Sequence, residues 1–272
     1  MLALALAIAA LALTTGGIVA WLRGRRCESV DLCFPRILMY HMVRDPLPGA
    51  TFNKLRVAPE NFDRQIRWLA EQGWYFATMA ELAQGRALPP KSVILTFDDG
   101  YADNLLNADP ILARYGARAT LYLVSDRFDR DWSTAKKAHH DSGELMREPK
   151  LSNDQVKAML ASSRWELGGH TFTHANLASI DDVQRDREIG DQRRQLREEF
   201  GAAVLSFAYP FGIYGRSDVN AVQRAGYANA VTTEEGISTD LVGEALELKR
   251  IKVSGKDSLA VFCRRMEFGR KR

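Results

Sequence analysis

The sequence predicts a parallel α/β barrel. Short apolar strands alternate with amphipathic helical stretches along most of the chain. The clearest strand, 92–97, is apolar on both faces, as parallel strands covered by helices are. Polar clusters able to do chemistry fall where strands end, the rim on which such barrels keep their sites. The 272 residues suffice for one large α/β domain, 35–272, preceded by a short segment. A hydrophobic content of 46% is ordinary, and the length can bury a sizeable core. The net charge of +3 is no larger than Arg23, Arg25 and Arg26 alone supply, so no nucleic-acid surface is expected.

The elements follow in order. Residues 1–22 are apolar or small and carry no charged side chain, long enough to span a bilayer. No Lys or Arg precedes the run, so it reads as an uncleaved single-pass anchor rather than a signal peptide. Residues 23–34 are a linker. Cys27 and Cys33 could bridge in an oxidising compartment, but three cysteines make no disulfide framework. Arg36 to Tyr40 reads as the first strand, with His41 at its end. A loop of Pro and Gly covers 43–58. Pro59 opens a helix whose Phe62, Ile66 and Leu69 share one face, and Gly73 ends it. A strand at 74–79 and a short helix at 79–84 precede the strand at 92. A helix over 104–115 must kink or break at Pro110. Residues 119–124 form the next strand. Residues 126–150 form a long charged loop, read as a solvated insertion as readily as a lid, and its His139 and His140 receive no catalytic weight. Ser152 to Gln155 is a capping box for a helix to Ser162. A long charged helix follows at 180–200, then a strand at 205–209, a helix at 217–224, strands at 227–231 and 246–253, and a terminal helix at 258–268.

Two clusters carry the chemistry. In Leu95-Thr-Phe-Asp-Asp-Gly-Tyr101 a buried strand runs into adjacent carboxylates and a glycine that lets the chain turn. Neighbouring side chains at a strand end diverge, so one carboxylate can hold a metal while the other moves protons. In Trp165-Glu-Leu-Gly-Gly-His-Thr-Phe-Thr-His174 two of the chain's five histidines stand four apart. A helical turn after Gly169 would put both imidazoles on one side. Two histidines and a carboxylate leave metal positions open for water and substrate.

Thr96-Phe-Asp-Asp-Gly100 and His170-Thr-Phe-Thr-His174 resemble the first two motifs of the polysaccharide deacetylases, the NodB-homology domain of carbohydrate esterase family four. Phe207-Ala-Tyr-Pro-Phe-Gly212 resembles the third. Ile37-Leu-Met-Tyr-His41 followed by Val57-Ala-Pro-Glu-Asn-Phe62 is similar to the branch that deacetylates poly-N-acetylglucosamine. The resemblance implies a distorted (β/α)7 barrel and hydrolysis of N-acetyl groups on a bacterial envelope glycan or glycolipid. It implies Asp98 as general base, with Asp99, His170 and His174 holding a divalent metal, zinc before cobalt or nickel. The Phe211 N–H would meet the oxyanion in a turn shaped by Pro210 and Gly212, and Tyr209 and Tyr214 would stack on sugar or serve as rim packing.

Two departures stand out. Ala208 occupies the position where much of the family has an arginine orienting the base, and Arg250 of the last strand could supply that charge. No histidine follows His174 to act as general acid, which leaves His41 as one candidate donor. A deformylase or deacetylase of an undecaprenyl-linked sugar, and a catalytically dead glycan binder, are the competing functions. The expected location is the bacterial inner membrane. The arginines after the span place the domain in the cytoplasm, whereas the resemblance places it outside.

Overall fold

The computed structural model describes residues 29–85, 87–138 and 140–270. The anchor expected at 1–22 and Cys27 lie outside these, and Cys33 is exposed. No helix among the described residues is long and apolar enough to cross a membrane. The described strands are β1 Arg36–Tyr40, β2 Met42–Val43, β3 Arg56–Val57, β4 Tyr75–Ala77, β5 Ser92–Asp99, β6 Ala119–Leu123, β7 Trp165–Gly169, β8 Ser206–Ala208, β9 Asn229–Glu235 and β10 Leu248–Lys252.

From β5 to β10 the strands lie side by side in chain order, all parallel, and β1 closes the ring by pairing with both β10 and β5. That makes a seven-stranded barrel. β4 pairs with residues 92–94 of β5, and β6 pairs with that strand from Leu95 onward. Both share the edge opposite β1, one beyond the other, so β4 lies outside the count. The ring is irregular: β7 and β8 register only at Gly169 and Phe207, and β10 shifts against β9 between Leu248 and Arg250.

The period-two alternation of the strands divides the core. Val93, Leu95 and Phe97 face out and join Leu38, Leu121, Leu167 and Ile251 under the helices. Ile94 faces in and joins Ile37, Tyr122, Ala208, Val231 and Leu248. Full burial of each such large apolar side chain is worth about 1.5–3 kcal/mol. The same parity points Thr96 and Asp98 inward at the end of β5. The helix Pro59–Glu71 forms as its spacing predicts, burying Phe62, Ile66 and Leu69. The stretch around Pro110 divides into a π-wound Asn104–Ala108 and a helix Asp109–Arg114, with the proline in the latter's first turn. The charged stretch 182–200 is helical with a π-wound Arg187–Asp191 inside it, ended by Gly201 in the left-handed conformation.

Candidate active site

The last two residues of β5 open the site. Asp98 is inward by strand parity. Asp99 would face the helices, but its φ of +80° turns it. A non-glycine residue at such a φ is strained, and strain of this kind concentrates at functional positions. Gly100 follows at φ +84°, where an added Cβ would press on Leu123.

β7 delivers the histidines. Gly168 and Gly169 are needed because the barrel is full beside them: a Cβ on Gly168 would overlap the Tyr122 ring, and one on Gly169 the Tyr227 hydroxyl and Gln192. The expected helical turn after Gly169 does not form. Residues 170–176 are irregular, with Thr171 at φ +62° and His174 at φ +59°. Buried Glu188 holds this loop by accepting from the Thr173 N–H and hydroxyl, each at 2.8 Å, while the Phe172 N–H donates to its carbonyl. The imidazoles converge nonetheless. Nε2 of His170 and of His174 stand 3.3 and 3.2 Å from Asp99 Oδ1.

The Nδ1 of His170 lies 2.8 Å from the Ala208 carbonyl. A carbonyl only accepts, so Nδ1 carries hydrogen, and Nε2 of the neutral ring presents a lone pair to Asp99. Asp99 Oδ1 is buried without a hydrogen bond, as is His174 Nδ1. Two acceptors facing each other across 3.3 Å repel unless a cation lies between them. Asp99, His170 and His174 are all buried, and their ligating atoms lie within 4.8 Å of one another. This donor set fits a divalent metal. Burial alone would raise the Asp99 carboxyl; His170 and His174 reverse this and take it well below the carboxylate range. Burial lowers His174, whereas in His170 Asp99 and Asp98 outweigh burial and raise it.

Asp98 has a different partner. The Arg250 guanidinium grips it with Nη1 to Oδ1 at 2.7 Å and Nη2 to Oδ2 at 2.8 Å. Arg250 is fully buried, and its remaining contacts fix its plane: Nε donates to the Thr232 carbonyl and Nη1 to the Thr96 hydroxyl. Burial would raise the Asp98 carboxyl, and the arginine outweighs burial and lowers it. His41 Nε2 stands 4.0 Å from Asp98 Oδ2.

The third motif turns at Pro210–Gly212, with Phe211 at φ +59° and Gly212 at φ +66°. The Phe211 ring packs edge-on to His174, 4.4 Å between centroids. Tyr209 is buried and donates its hydroxyl to the Leu246 carbonyl. Tyr214 stacks on it at 4.1 Å.

A cavity of about 680 Å³ opens over these groups. His41, Asp98, Asp99, His170, His174, Tyr209 and Phe211 line it, whereas Tyr214 is not among its lining residues. A slightly larger hollow of about 760 Å³ lies among the outer helices, lined by Arg193, Arg194, Arg224 and Asp186, and shares none of this chemistry.

The charged segment 126–150 carries more of the site than its sequence suggests. Trp132, Ser133, Lys136, Lys137, His140 and Leu145 all line the cavity. Buried Trp132 packs 5.0 Å from the His174 ring. Arg56 at β3 pairs with Glu144 at 2.7 Å and Glu148 at 2.6 Å, and the N–H groups of Thr51 and Phe52 donate to Glu144. These bonds join the 43–58 loop and the insertion into one wall. Lys150, pushed down to about 8 by burial, donates to the Leu145 and Glu148 carbonyls beneath the Trp132 ring. Trp132, a large aromatic residue within a mostly polar stretch, is the sequence signal that could have marked this wall.

A closed parallel barrel with a buried carboxylate–histidine cluster at its C-terminal rim is a site able to hold a divalent metal. A profile of the polysaccharide deacetylase family matches residues 85–230. The chain is 30% identical over 222 residues to YxkH of Bacillus subtilis, named for the same family, covering 80% of this chain and 71% of that one. It is 23% identical over 190 residues to the poly-β-1,6-N-acetyl-D-glucosamine N-deacetylase of Staphylococcus aureus, covering 66% of this chain and 61% of that protein. Among solved structures, the Streptococcus pyogenes deacetylase PplD in complex with acetate superposes with a TM-score of 0.71 at 27% identity, covering 88% of this chain and 99% of that one. The chain belongs to the polysaccharide deacetylase family.

Proposed function

We propose that the protein is a metal-dependent hydrolase that removes acetyl groups from N-acetylated amino sugars of a glycan or lipid-linked glycoside. The observation that carries this reading is the pair of imidazole Nε2 atoms converging on Asp99 Oδ1, 3.2–3.3 Å away, beside a second carboxylate clamped by Arg250. A pure glycan binder has no need of that arrangement. The acetate held by the S. pyogenes relative is the product expected of such a reaction.

Amide hydrolysis needs a nucleophilic water, a stabilised oxyanion and a proton for the leaving amine. A divalent ion held by Asp99, His170 and His174 would polarise the acyl carbonyl and make water a stronger nucleophile at neutral pH. Asp98, kept ionised by Arg250, takes the proton of the attacking water. Arg250 acts through Asp98, fixing both oxygens of the base, and is a positioning residue. The Phe211 N–H donates to the developing oxyanion from a turn that Pro210 and Gly212 shape. The proton gained by Asp98 is then available to the amine, with His41 beside it as a second donor.

The test is acetate release from N-acetylglucosamine oligomers by the full chain. It is run metal-stripped, then with zinc, cobalt or nickel restored, with Asp98→Asn alongside. Metal-dependent release that ends in Asp98→Asn, with metal content unchanged, is the expected result. Release that survives Asp98→Asn removes the base assignment.

A further inference from the structure

The cavity over the metal cluster is lined by an excess of one charge. Five of the chain's ten lysines line it: Lys54, Lys136, Lys137, Lys252 and Lys256. They come from three separate segments, namely the 43–58 loop, the 126–150 insertion and the chain around the end of β10. None of the five makes an ion pair among the described residues. The carboxylates that share the lining are already engaged. Asp98 is held by Arg250, Asp99 faces the two imidazoles, and Asp257 lies 3.0 Å from Arg265.

Burial lowers the Lys136 ammonium, and the charges of Lys137 and Lys252 lower it further. Lys136 is also close to the chemistry: its Nζ lies 5.9 Å from the Phe211 ring, the ring that packs on His174. Lys252 shares the inward parity of Leu248 and Arg250 on β10. Elsewhere the chain builds its buried ion pairs with arginine, at Arg56, Arg185 and Arg265. Lysine, a compact hydrated point charge on a flexible stem, suits a diffuse or mobile anion better than a fixed bidentate one. A neutral sugar chain gives these ammonium groups nothing to pair with.

We propose that the substrate is an acidic glycan, carrying phosphate or carboxylate groups close to the N-acetylated sugar, and that Lys136, Lys137 and Lys252 bind that anion. This rests on the deacetylase reading and names the substrate class for the same site. A polymer of phosphodiester-linked sugars, a lipid-linked sugar phosphate and a uronate-bearing chain would each present this chemistry.

The experiment measures equilibrium binding to the full chain, metal-stripped so that nothing turns over. The probes are three N-acetylglucosamine oligomers of equal length: neutral, phosphate-bearing and glucuronate-bearing. Acetate release from each is followed in parallel with zinc restored. At low ionic strength an acidic oligomer binds about tenfold or more tightly than the neutral one, and the preference shrinks as salt screens it. In the Lys136→Gln, Lys137→Gln, Lys252→Gln triple variant the ratio of affinities falls to about one. The single variant Lys136→Gln, at an exposed position, moves it part of the way and guards against a folding defect in the triple. Whichever acidic oligomer is preferred identifies the anion. Equal binding of all three oligomers, or a preference that survives the triple variant, overturns the proposal. Acetate released equally from all three would leave the deacetylase reading standing while this one fails. A charge preference without acetate from any oligomer would sustain the lysine anion site but remove the deacetylase reading, and with it the assignment of the bound anion as substrate.

Discussion

Replacing Arg250 by alanine separates the two opposing influences on Asp98. The wild-type pair is almost fully enclosed: the arginine side chain is 0% exposed and the aspartate 4%. Removing the arginine leaves a buried carboxylate unpaired, a change that costs about 3–5 kcal/mol. For a domain of this size that lowers Tm by about 6–20 °C. The pH dependence is the sharper readout. In the wild type the Asp98 carboxyl is lowered in the fold, so it stabilises the protein above its ordinary value of 3.8. That contribution is lost as pH falls through the lowered folded value. Without Arg250 only burial and weaker neighbours remain, and the folded value rises above the ordinary one. Ionised Asp98 then destabilises the variant, most at neutral pH, and the deficit narrows on acidification. Thermal unfolding of the metal-stripped protein across pH 4–8 measures this. In kinetics the acid limb of kcat/KM moves to higher pH, turnover at neutral pH falls about tenfold or more, and zinc content stays unchanged. Arg250→Lys, which keeps the charge but not the two-pronged grip, falls between. Full turnover in Arg250→Ala with an unmoved acid limb would refute the reasoning.

Three further outcomes are expected. Asp99→Ala and His174→Ala lose zinc on dialysis, as measured by elemental analysis, while wild-type protein keeps it. The zinc-induced rise in Tm is larger at pH 8 than at pH 6. In the metal-free fold the raised His170 contributes stability that is present below its ordinary 6.5 and lost as pH rises through the folded value, so protons and zinc compete for the same atoms. A zinc effect independent of pH would argue that His170 is no ligand. Gly169→Ala forces a methyl group into the Tyr227 hydroxyl and Gln192 beside His170, so it destabilises by about 1–3 kcal/mol in denaturant unfolding. Unchanged stability there would show that the β7 rim is looser than its packing indicates.

Much of this arrangement is legible in the sequence because strand ends mark themselves. The apolar run into Asp98 and Asp99, and the glycines before His170, place both clusters on the rim without any structure. Arg250 was reached through the family resemblance, which implies an arginine at the position that Ala208 holds here. How the histidines converge was not legible. Their four-residue spacing suggests a helical turn, yet Thr171 and His174 take left-handed backbone and the loop is held by Glu188, a residue with no local sequence relation to it. The wall from 126–150 was missed for a related reason. It has little regular structure, and what fixes it is long-range: Arg56 reaching Glu144 and Glu148 across 88 and 92 residues. Of the two readings of the aromatic pair, Tyr214 fits rim packing, since it stacks on Tyr209 and does not line the cavity, whereas Tyr209 does line it.

An alanine at position 208 and an arginine at position 250 have a physical logic within this barrel. Ala208 faces the interior with Tyr122 and Val231, and its carbonyl already fixes the His170 tautomer. Arg250 enters the same interior from β10, with its guanidinium 5.9 Å from the Tyr122 ring, where the Thr232 carbonyl and the Thr96 hydroxyl accept from its remaining N–H groups. A second arginine beside it would bury a charge with no carboxylate left to answer it, at a cost of several kcal/mol. The interior thus holds one arginine, paired with Asp98 from β10, while the backbone of β8 orients His170. At the mouth of the cavity the positive charge is carried by lysines instead, in contact with water and with no ion pair among the described residues.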